Sequence, residues 1–185
     1  FLYEKNCKMM VVACNSATTV IEKTEDLPFS SDQIVEVISP IVDLIATQTK
    51  YSNIGIIGTR KTIGSGMFNQ ALAYRNKNLN IVVRATPLLV PLIEDGFLEE
   101  NVLFPVFDRY FAEMSECELL IPACTHYPII EKEIAEFYSS SNKKITILNS
   151  AKIVAKKIAA DLKKLNLLSD KKNKTHEFFV SDYTK

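Results

Sequence analysis

Short apolar stretches alternate along the chain with longer segments in which apolar residues recur every three or four positions. The short stretches are continuous and rich in β-branched residues, which is typical of parallel strands that are buried on both faces. They predict strands at residues 9–13, 34–38, 54–57, 81–83, 119–123 and 145–148. The run at 87–93 is also strand-like, and Glu94 follows it.

The longer segments have the apolar spacing of amphipathic helices. This spacing is clearest around residues 41–45, 67–72, 129–137 and 153–162. Because strands alternate with helices, the sequence predicts an α/β protein with an open parallel sheet that is covered by helices.

The chain also contains an internal repeat. Residues 7–16 align with residues 117–126 at an offset of 110, since both segments read cysteine, an apolar strand, Ala-Cys and a polar pair. Residues 34–39 and the helix that follows align with residues 145–150 and their helix at an offset of 111. Two matches in the same order predict two pseudo-symmetric α/β half-domains with parallel sheets.

The repeat predicts the domain boundaries. The second half-domain is expected at 34–142, and the first is expected to combine 1–33 with 143–185 after the chain crosses back, with the active site in the cleft between them. The strand at 54–57 has no counterpart 110 residues earlier, because that position precedes Phe1. The first half-domain is therefore expected to be incomplete by about 60 residues. Since Phe1 is not an initiator Met, we expect a chain that is processed or lacks its beginning.

Composition narrows the class of partner. With 47% apolar and 24% charged residues the chain can form a core. Its 22 basic and 22 acidic residues cancel, so nucleic acid and anionic membranes are not expected as partners. The apolar runs fall far short of the ~20 residues that a transmembrane helix needs. Four cysteines without Cys-x-x-Cys spacing predict reduced thiols and a cytoplasmic location.

Two of the cysteines carry the candidate chemistry. Cys14 and Cys124 each end a predicted strand and open a helix-like segment. Ligands of open α/β proteins bind at this carboxyl edge of the sheet. Amides at a helix start stabilise an anion, so we expect lowered thiol pKa values and thiols that act as bases. Cys7 and Cys117, at the opposite ends of the same strands, are expected to be small buried residues.

Polar side chains follow both thiols. Asn15 and Ser16 come after the first, and Thr125 and His126 after the second. Such groups suit a carboxylate and an ammonium, so they predict a small zwitterionic ligand; helix capping is the alternative for all but the histidine. His126 is expected to relay protons beside the thiol. Zinc is disfavoured, because the only other histidine lies in the polar tail.

No cofactor is expected. The chain has five glycines and neither a G-x-G-x-x-G nor a Walker loop, and pyridoxal phosphate would require a phosphate cradle. Two thiols that face one another across a cleft can address opposite faces of one carbon. One removes a proton and the other delivers one, which is acid–base catalysis arranged for stereoinversion.

At these residues the sequence resembles a known family. Residues 12–18 and 123–128 resemble the two cysteine motifs of glutamate racemases, and residues 54–63 and 87–94 resemble further family segments in the family's order. The resemblance implies a cofactor-independent isomerase that interconverts L- and D-glutamate, the small-molecule substrate, for bacterial peptidoglycan. The family is often dimeric, which leaves a homodimer open.

The resemblance also implies a role for each site residue. Cys14 corresponds to the thiol that takes the α-proton from D-glutamate, and Cys124 to the thiol that acts on L-glutamate. His126 and Glu94 match groups that assist the second thiol. The positions that hold substrate are matched by Asn15, Ser16, Thr59, Thr62, Thr125 and His126.

Three departures from the family leave alternatives open. Ala123 and Ser16 stand where Gly and Thr are usual, and the family's opening Asp-Ser-Gly-x-Gly-Gly loop and later Pro-Tyr-Gly segment are absent. The chain alone is therefore not expected to racemise glutamate. The alternatives are a racemase for aspartate or another small acid, an inactive truncated remnant that binds a ligand, and a redox or metal protein.

Overall fold

The computed structural model describes residues 1–21, 24, 26–48, 50–169 and 175–181. Within these residues, strands and helices alternate along most of the chain. The strands are β1 Met10–Val12, β2 Ile34–Glu36, β3 Asn53–Gly58, β4 Asn80–Ala85, β5 Leu119–Ala123 and β6 Thr146–Ile147. The α-helices are α1 Asn15–Ile21, α2 Ser39–Gln48, α3 Arg60–Gly64, α4 Met67–Arg75, α5 Leu89–Glu94, α6 Glu100–Phe111, α7 Glu131–Ser140 and α8 Ser150–Lys164.

The strands form two parallel sheets. The larger sheet has the order β4-β3-β5-β6, and the smaller one consists of β1 and β2. All five residues of β5 and five of the six in β3 are buried, as the continuous apolar runs predict. The predicted α/β class with parallel sheets is confirmed.

The repeat has a counterpart in the strand pairing. β1 pairs in parallel with β2, and β5 pairs in parallel with β6. The helices α2 and α8 begin at Ser39 and Ser150, the last residues of the second repeated segment. Both copies therefore continue from a paired strand into a helix at matching positions.

The domain boundaries at residues 34 and 143 stay a prediction. Each boundary falls between two strands that pair with each other in the structure. β2 was expected in the second half-domain and pairs with β1 of the first. β6 was expected in the first and pairs with β5 of the second. The repeated unit is a pair of neighbouring strands, so a boundary drawn between its members separates strands that are hydrogen-bonded to each other.

Two apolar clusters cover the faces of the larger sheet. Ile56 and Ile121 point into one cluster with α2 and α4, whereas Ile57 and Leu120 point into the other with α5, α6 and α7. Neighbouring residues of a strand face opposite sides, so each strand contributes to both clusters. Each fully buried aliphatic side chain contributes about 1.5–3 kcal/mol. The largest fully buried side chains among the described residues all belong to these two clusters, so the core of the described structure lies on the larger sheet.

The strand-like interpretation of residues 87–93 was wrong. Leu89–Glu94 forms helix α5, and Leu89 and Ile93, four residues apart, are its buried residues. Pro91 lies in the first turn, where the missing N–H has no intrahelical partner to lose. Glu94 is consequently the last residue of a helix.

Helix α6 was missed from the sequence. Its buried residues Leu103, Phe107 and Phe111 recur every four positions, but Pro105 lies among them. Proline is unfavourable in a helix interior and so hides the pattern. None of the described helices is long and apolar enough to cross a membrane.

Gly55 in β3 tests how tightly the larger sheet is packed. A Cβ at this position would lie 3.1 Å from Leu120 Cδ1, 3.2 Å from Cys117 Sγ and 3.3 Å from Met114 Sδ. We expect Gly55→Val to lower the free energy of unfolding by about 1–3 kcal/mol through overpacking. Gly64→Val is the matched control, because no atom lies within 4 Å of a Cβ there. Urea denaturation that gives equal stabilities for the two variants would contradict this packing.

Candidate active site

The first thiol, Cys14, lies in the turn between β1 and α1 and is exposed. Its carbonyl oxygen accepts hydrogen bonds from the N–H of Thr18 at 2.9 Å and from Thr18 Oγ1 at 3.1 Å. Thr18 is fully buried. The backbone of Cys14 is thereby fixed to the first turn of α1, while its side chain stays accessible.

Three hydroxyl groups connect α1 to the start of α3. Ser16 Oγ lies 2.8 Å from Thr59 Oγ1 and 3.1 Å from Thr62 Oγ1, and the two threonine oxygens are 3.1 Å apart. Thr59 also caps α3 by accepting the N–H of Thr62 at 3.1 Å. This hydroxyl cluster brings three of the predicted substrate residues together from both sheets.

Of the remaining three predicted substrate residues, Asn15 and Thr125 differ in exposure, and His126 belongs to the second thiol's contacts. Asn15 is only 5% exposed, and its Oδ1 has no hydrogen-bond partner among the described residues. Thr125 is exposed and follows Cys124 directly. The Asn15 oxygen is a buried acceptor, and an unsatisfied group of this kind costs about 1–3 kcal/mol.

The second thiol belongs to a hydrogen-bonded chain of side chains. Cys124 is 9% exposed, and its Sγ lies 3.8 Å from Nδ1 of His126. Nε2 of the same histidine lies 3.0 Å from Oε1 of Glu94, an exposed carboxylate at the end of α5. Helix α5 packs against the 3₁₀-helix Tyr127–Ile130, which follows the histidine. The structure therefore joins the thiol, imidazole and carboxylate that the resemblance associates.

The pKa of Cys124 is raised, in contrast to the expectation for this thiol. Burial is the largest cause, since it disfavours the thiolate. The backbone amides of His126 and Thr125 lower the pKa, as the helix-start argument anticipated, but they do not outweigh burial. Negative charge on Cys14 and on Glu94 raises it further. Cys14 is thus close enough to Cys124 for the two thiols to interact electrostatically.

A buried hydroxyl pair supports the Cys124 turn and was not foreseen from the sequence. Thr86 Oγ1 lies 2.6 Å from the hydroxyl of Tyr127, and both residues are fully buried. The Thr86 N–H donates to the carbonyl of Gly58 at 2.8 Å. Burial raises the pKa of Tyr127, so its hydroxyl stays neutral and able to donate. A lone threonine after an apolar strand gave no sequence signal for this role.

Solved structures that share this fold are racemases. The chain matches the glutamate racemase of Francisella tularensis, solved in complex with D-glutamate, at a TM-score of 0.85 and 25% identity, over 100% of this chain and 68% of that chain. The chain matches the glutamate racemase of Campylobacter jejuni at a TM-score of 0.77 and 25% identity, over 99% of this chain and 71% of that chain. The fold is that of the amino-acid racemase class.

Curated relatives narrow the class to one family. The chain is 31% identical to the glutamate racemase of Geobacter metallireducens and 32% identical to that of Lactobacillus acidophilus, each over 98% of this chain and 67% of the relative. It is 34% identical to the glutamate racemase of Chlorobaculum parvum, over 88% of this chain and 59% of the relative. The chain belongs to the glutamate racemase family. It spans 59–67% of the length of these relatives. No family model matches the chain.

The proximity of the two thiols can be tested through the pKa of Cys124. Replacement Cys14→Ala removes a charge that raises this pKa, so we expect the apparent pKa of Cys124 to fall. Initial alkylation rates of Cys124 by iodoacetamide, followed by peptide mass spectrometry across pH, report this value. Cys7→Ala, at the other end of β1, is the control and should leave the pKa unchanged. If the alkylation rate of Cys124 depends on pH in the same way in both variants, the two thiols do not interact electrostatically.

The Thr86–Tyr127 pair is expected to act as a unit. Thr86→Val and Tyr127→Phe should each lower the free energy of unfolding by about 1–3 kcal/mol, because each leaves a buried hydroxyl short of a partner. The double variant should lose less than the sum of the two. Thr47→Val, on the exposed side of α2, should change stability by less than about 0.5 kcal/mol. Additive losses in urea denaturation would show that the pair is not coupled.

Proposed function

We propose that the protein interconverts L- and D-glutamate without a cofactor, with Cys14 and Cys124 acting on opposite faces of the α-carbon. Membership of the glutamate racemase family supports the substrate and the reaction. The observation that carries the chemistry is the chain of contacts from Glu94 through His126 to Cys124. It gives a buried thiol a path along which a proton can leave and return.

The carboxylate selects the form of the imidazole. Glu94 accepts a hydrogen bond from Nε2–H of His126 at 3.0 Å, which leaves Nδ1 with a free lone pair toward the thiol. At neutral pH the raised pKa of Cys124 keeps this sulfur protonated. The resting site thus contains a thiol that donates and an imidazole that accepts.

The two directions of the reaction use this arrangement differently. From D-glutamate, the Cys14 thiolate removes the α-proton and the Cys124 thiol delivers its own proton to the opposite face. From L-glutamate, Cys124 first passes its proton to Nδ1 of His126 and then acts as the base, while the Cys14 thiol is the acid. In each turnover the α-carbon loses one proton and gains one proton, so no electron acceptor is required.

The polar groups around the thiols are suited to a small amino acid. The Asn15 oxygen is a free acceptor for an ammonium group, and the hydroxyls of Ser16, Thr59 and Thr62 can donate to a carboxylate. Thr125 is exposed beside Cys124 and provides a further hydroxyl. We assign these residues to substrate binding on this basis.

The proposal applies to a protein that is complete in its first half-domain. In the described residues β5 has a neighbour on each side, whereas its repeat counterpart β1 pairs with β2 alone. A strand equivalent to β3 would lie on the open side of β1, next to Cys14. The supply of D-glutamate for peptidoglycan, the cytoplasmic location and a homodimer stay predictions.

The isotope content of the product tests the two-thiol mechanism. We define the completed protein as this chain joined to the part of the Geobacter metallireducens relative that it does not match. A thiol carries a single proton, so early D-glutamate formed from L-glutamate in D2O should contain deuterium while the remaining L-glutamate does not. Cys14→Ser and Cys124→Ser should each lower the rate of racemisation by at least about 100-fold.

Three outcomes decide between the readings of the site. Deuterium in both enantiomers at early times would point to a single base and contradict the mechanism. A higher kcat/KM for aspartate than for glutamate would identify aspartate as the substrate. Unaltered racemisation in either serine variant, with circular dichroism showing a native fold, would remove that thiol from the chemistry. The chain alone is expected to be inactive, so it serves as the baseline.

A further inference from the structure

The contact between His126 and Glu94 joins two separate segments of the chain. Glu94 is the last residue of α5, whereas His126 lies in the turn after β5. The side chains of His126 and Glu94 are 35% and 61% exposed. Because an exposed pair of this kind stabilises little, the contact cannot hold the two segments in place by itself. Another feature must set their relative position.

Apolar packing brings α5 close to the turn after β5 but does not fix how the two are aligned. Leu89 and Ile93 of α5 belong to the same buried cluster as Tyr127 and Ile130 of the 3₁₀-helix in this turn. The hydrophobic effect is non-directional, so it favours contact without selecting one alignment. Directional hydrogen bonds are needed to select one.

Thr86 provides such bonds to three segments of the site. Its N–H donates to the Gly58 carbonyl at 2.8 Å, and its own carbonyl accepts the N–H of Leu89, the first residue of α5, at 3.2 Å. Its Oγ1 lies 3.3 Å from the same Gly58 oxygen and 2.6 Å from the Tyr127 hydroxyl. Tyr127 in turn donates its N–H to the Cys124 carbonyl at 3.2 Å. One buried threonine therefore connects the end of β3, the start of α5 and the turn after β5.

The side-chain bonds of this pair have one consistent direction. The Thr86 hydroxyl donates to the Gly58 carbonyl, so it accepts from the hydroxyl of Tyr127. Burial raises the pKa of Tyr127, which keeps this donor protonated. Both side chains are fully buried, and water is therefore not at hand to replace a lost partner.

The same pair is the buried hydrogen-bonded connection between α5 and the Cys124 turn. Within the part of the chain that the structure describes, residues 86–94 and 124–130 share hydrogen bonds at two places. One is the exposed imidazole–carboxylate contact, and the other is the Thr86–Tyr127 pair. If the pair is lost, only the weak exposed contact is left to align the two segments.

We propose that Thr86 and Tyr127 are positioning residues, which hold the Glu94 carboxylate at His126 and so close to Cys124. They act through the alignment of α5 with the turn after β5, and they transfer no proton themselves. The consequence for catalysis rests on the proposed racemisation. The alignment is a property of the 185-residue chain and can be measured without turnover.

The influence of Glu94 on Cys124 reports this alignment. The Glu94 charge raises the pKa of Cys124, so Glu94→Gln should lower the apparent pKa that is read from iodoacetamide alkylation of Cys124 across pH. In chains that carry Thr86→Val or Tyr127→Phe, Glu94→Gln should produce less than about half of that shift, since residues in one network are coupled. Thr86→Ser keeps the hydroxyl and should retain the full shift. Tyr127→Phe decides the outcome if Thr86→Val does not fold.

Tyr138→Phe is the matched control for these measurements. Tyr138 is 3% exposed and lies in the same buried cluster as Tyr127, but its hydroxyl has no hydrogen-bond partner among the described residues. This variant loses a buried hydroxyl without losing a bond, so the full shift from Glu94→Gln should remain. A full shift in the Thr86→Val and Tyr127→Phe chains, an equal loss in Tyr138→Phe, or no shift in the unmodified chain would overturn the positioning role.

Turnover of the completed protein separates positioning from stability. Thr86→Val keeps the size of the side chain and loses the hydroxyl, whereas Thr86→Ser keeps the hydroxyl and loses a buried methyl group. Thr86→Val should lower kcat for glutamate at least about tenfold with KM changed less than about twofold, while Thr86→Ser should keep kcat within about threefold.

The contrast between these two variants decides the role of the hydroxyl. Both are assayed at a temperature at which circular dichroism shows a native fold. Equal kcat values for Thr86→Val and Thr86→Ser would contradict a positioning role. Inactivity of the unmodified completed protein would count against racemisation alone, because the alkylation measurements decide the positioning.

Discussion

The parallel pairing of β3 with β4 and β5 is the constraint on which the site depends. The last residue of β3 pairs with the last residues of both neighbours, so the three strands end at one edge of the sheet. The residues that follow are Thr59, Thr86 and Cys124, and they begin the turns that carry the hydroxyl cluster, the buried hydroxyl pair and the second thiol. Since side chains alternate between the faces of a strand, a shift of one residue in this register would turn each of these groups away from its partners.

The two thiols are placed in different environments by the same kind of strand end. Cys14 is exposed at the edge of a small sheet, whereas Cys124 is buried between the larger sheet and its covering helices. Burial raises the pKa of Cys124, and the His126–Glu94 pair gives that thiol the partner it needs to lose a proton. The proposed reaction needs an acid on one face of the α-carbon and a base on the other, and the His126–Glu94 pair allows the buried thiol to serve in either role.

The strands and cysteine motifs could be predicted from the sequence because both are local patterns. The β-branched runs mark β3 and β5, and the repeated Ala-Cys pair marks the ends of β1 and β5. The helical state of α5 could not be predicted, since a short apolar run with two prolines fits either structure. The Thr86–Tyr127 bond joins residues 41 apart, and the raised pKa of Cys124 results from packing; neither leaves a local trace.

The central claim is that Cys14 and Cys124 lie on opposite sides of one bound amino acid. A crystal structure of the completed protein with D-glutamate measures this directly. We predict sulfur atoms roughly 6–9 Å apart, with the α-carbon between them and each sulfur within reach of its hydrogen. Sulfur atoms in separate pockets, or glutamate bound away from either thiol, would contradict the account.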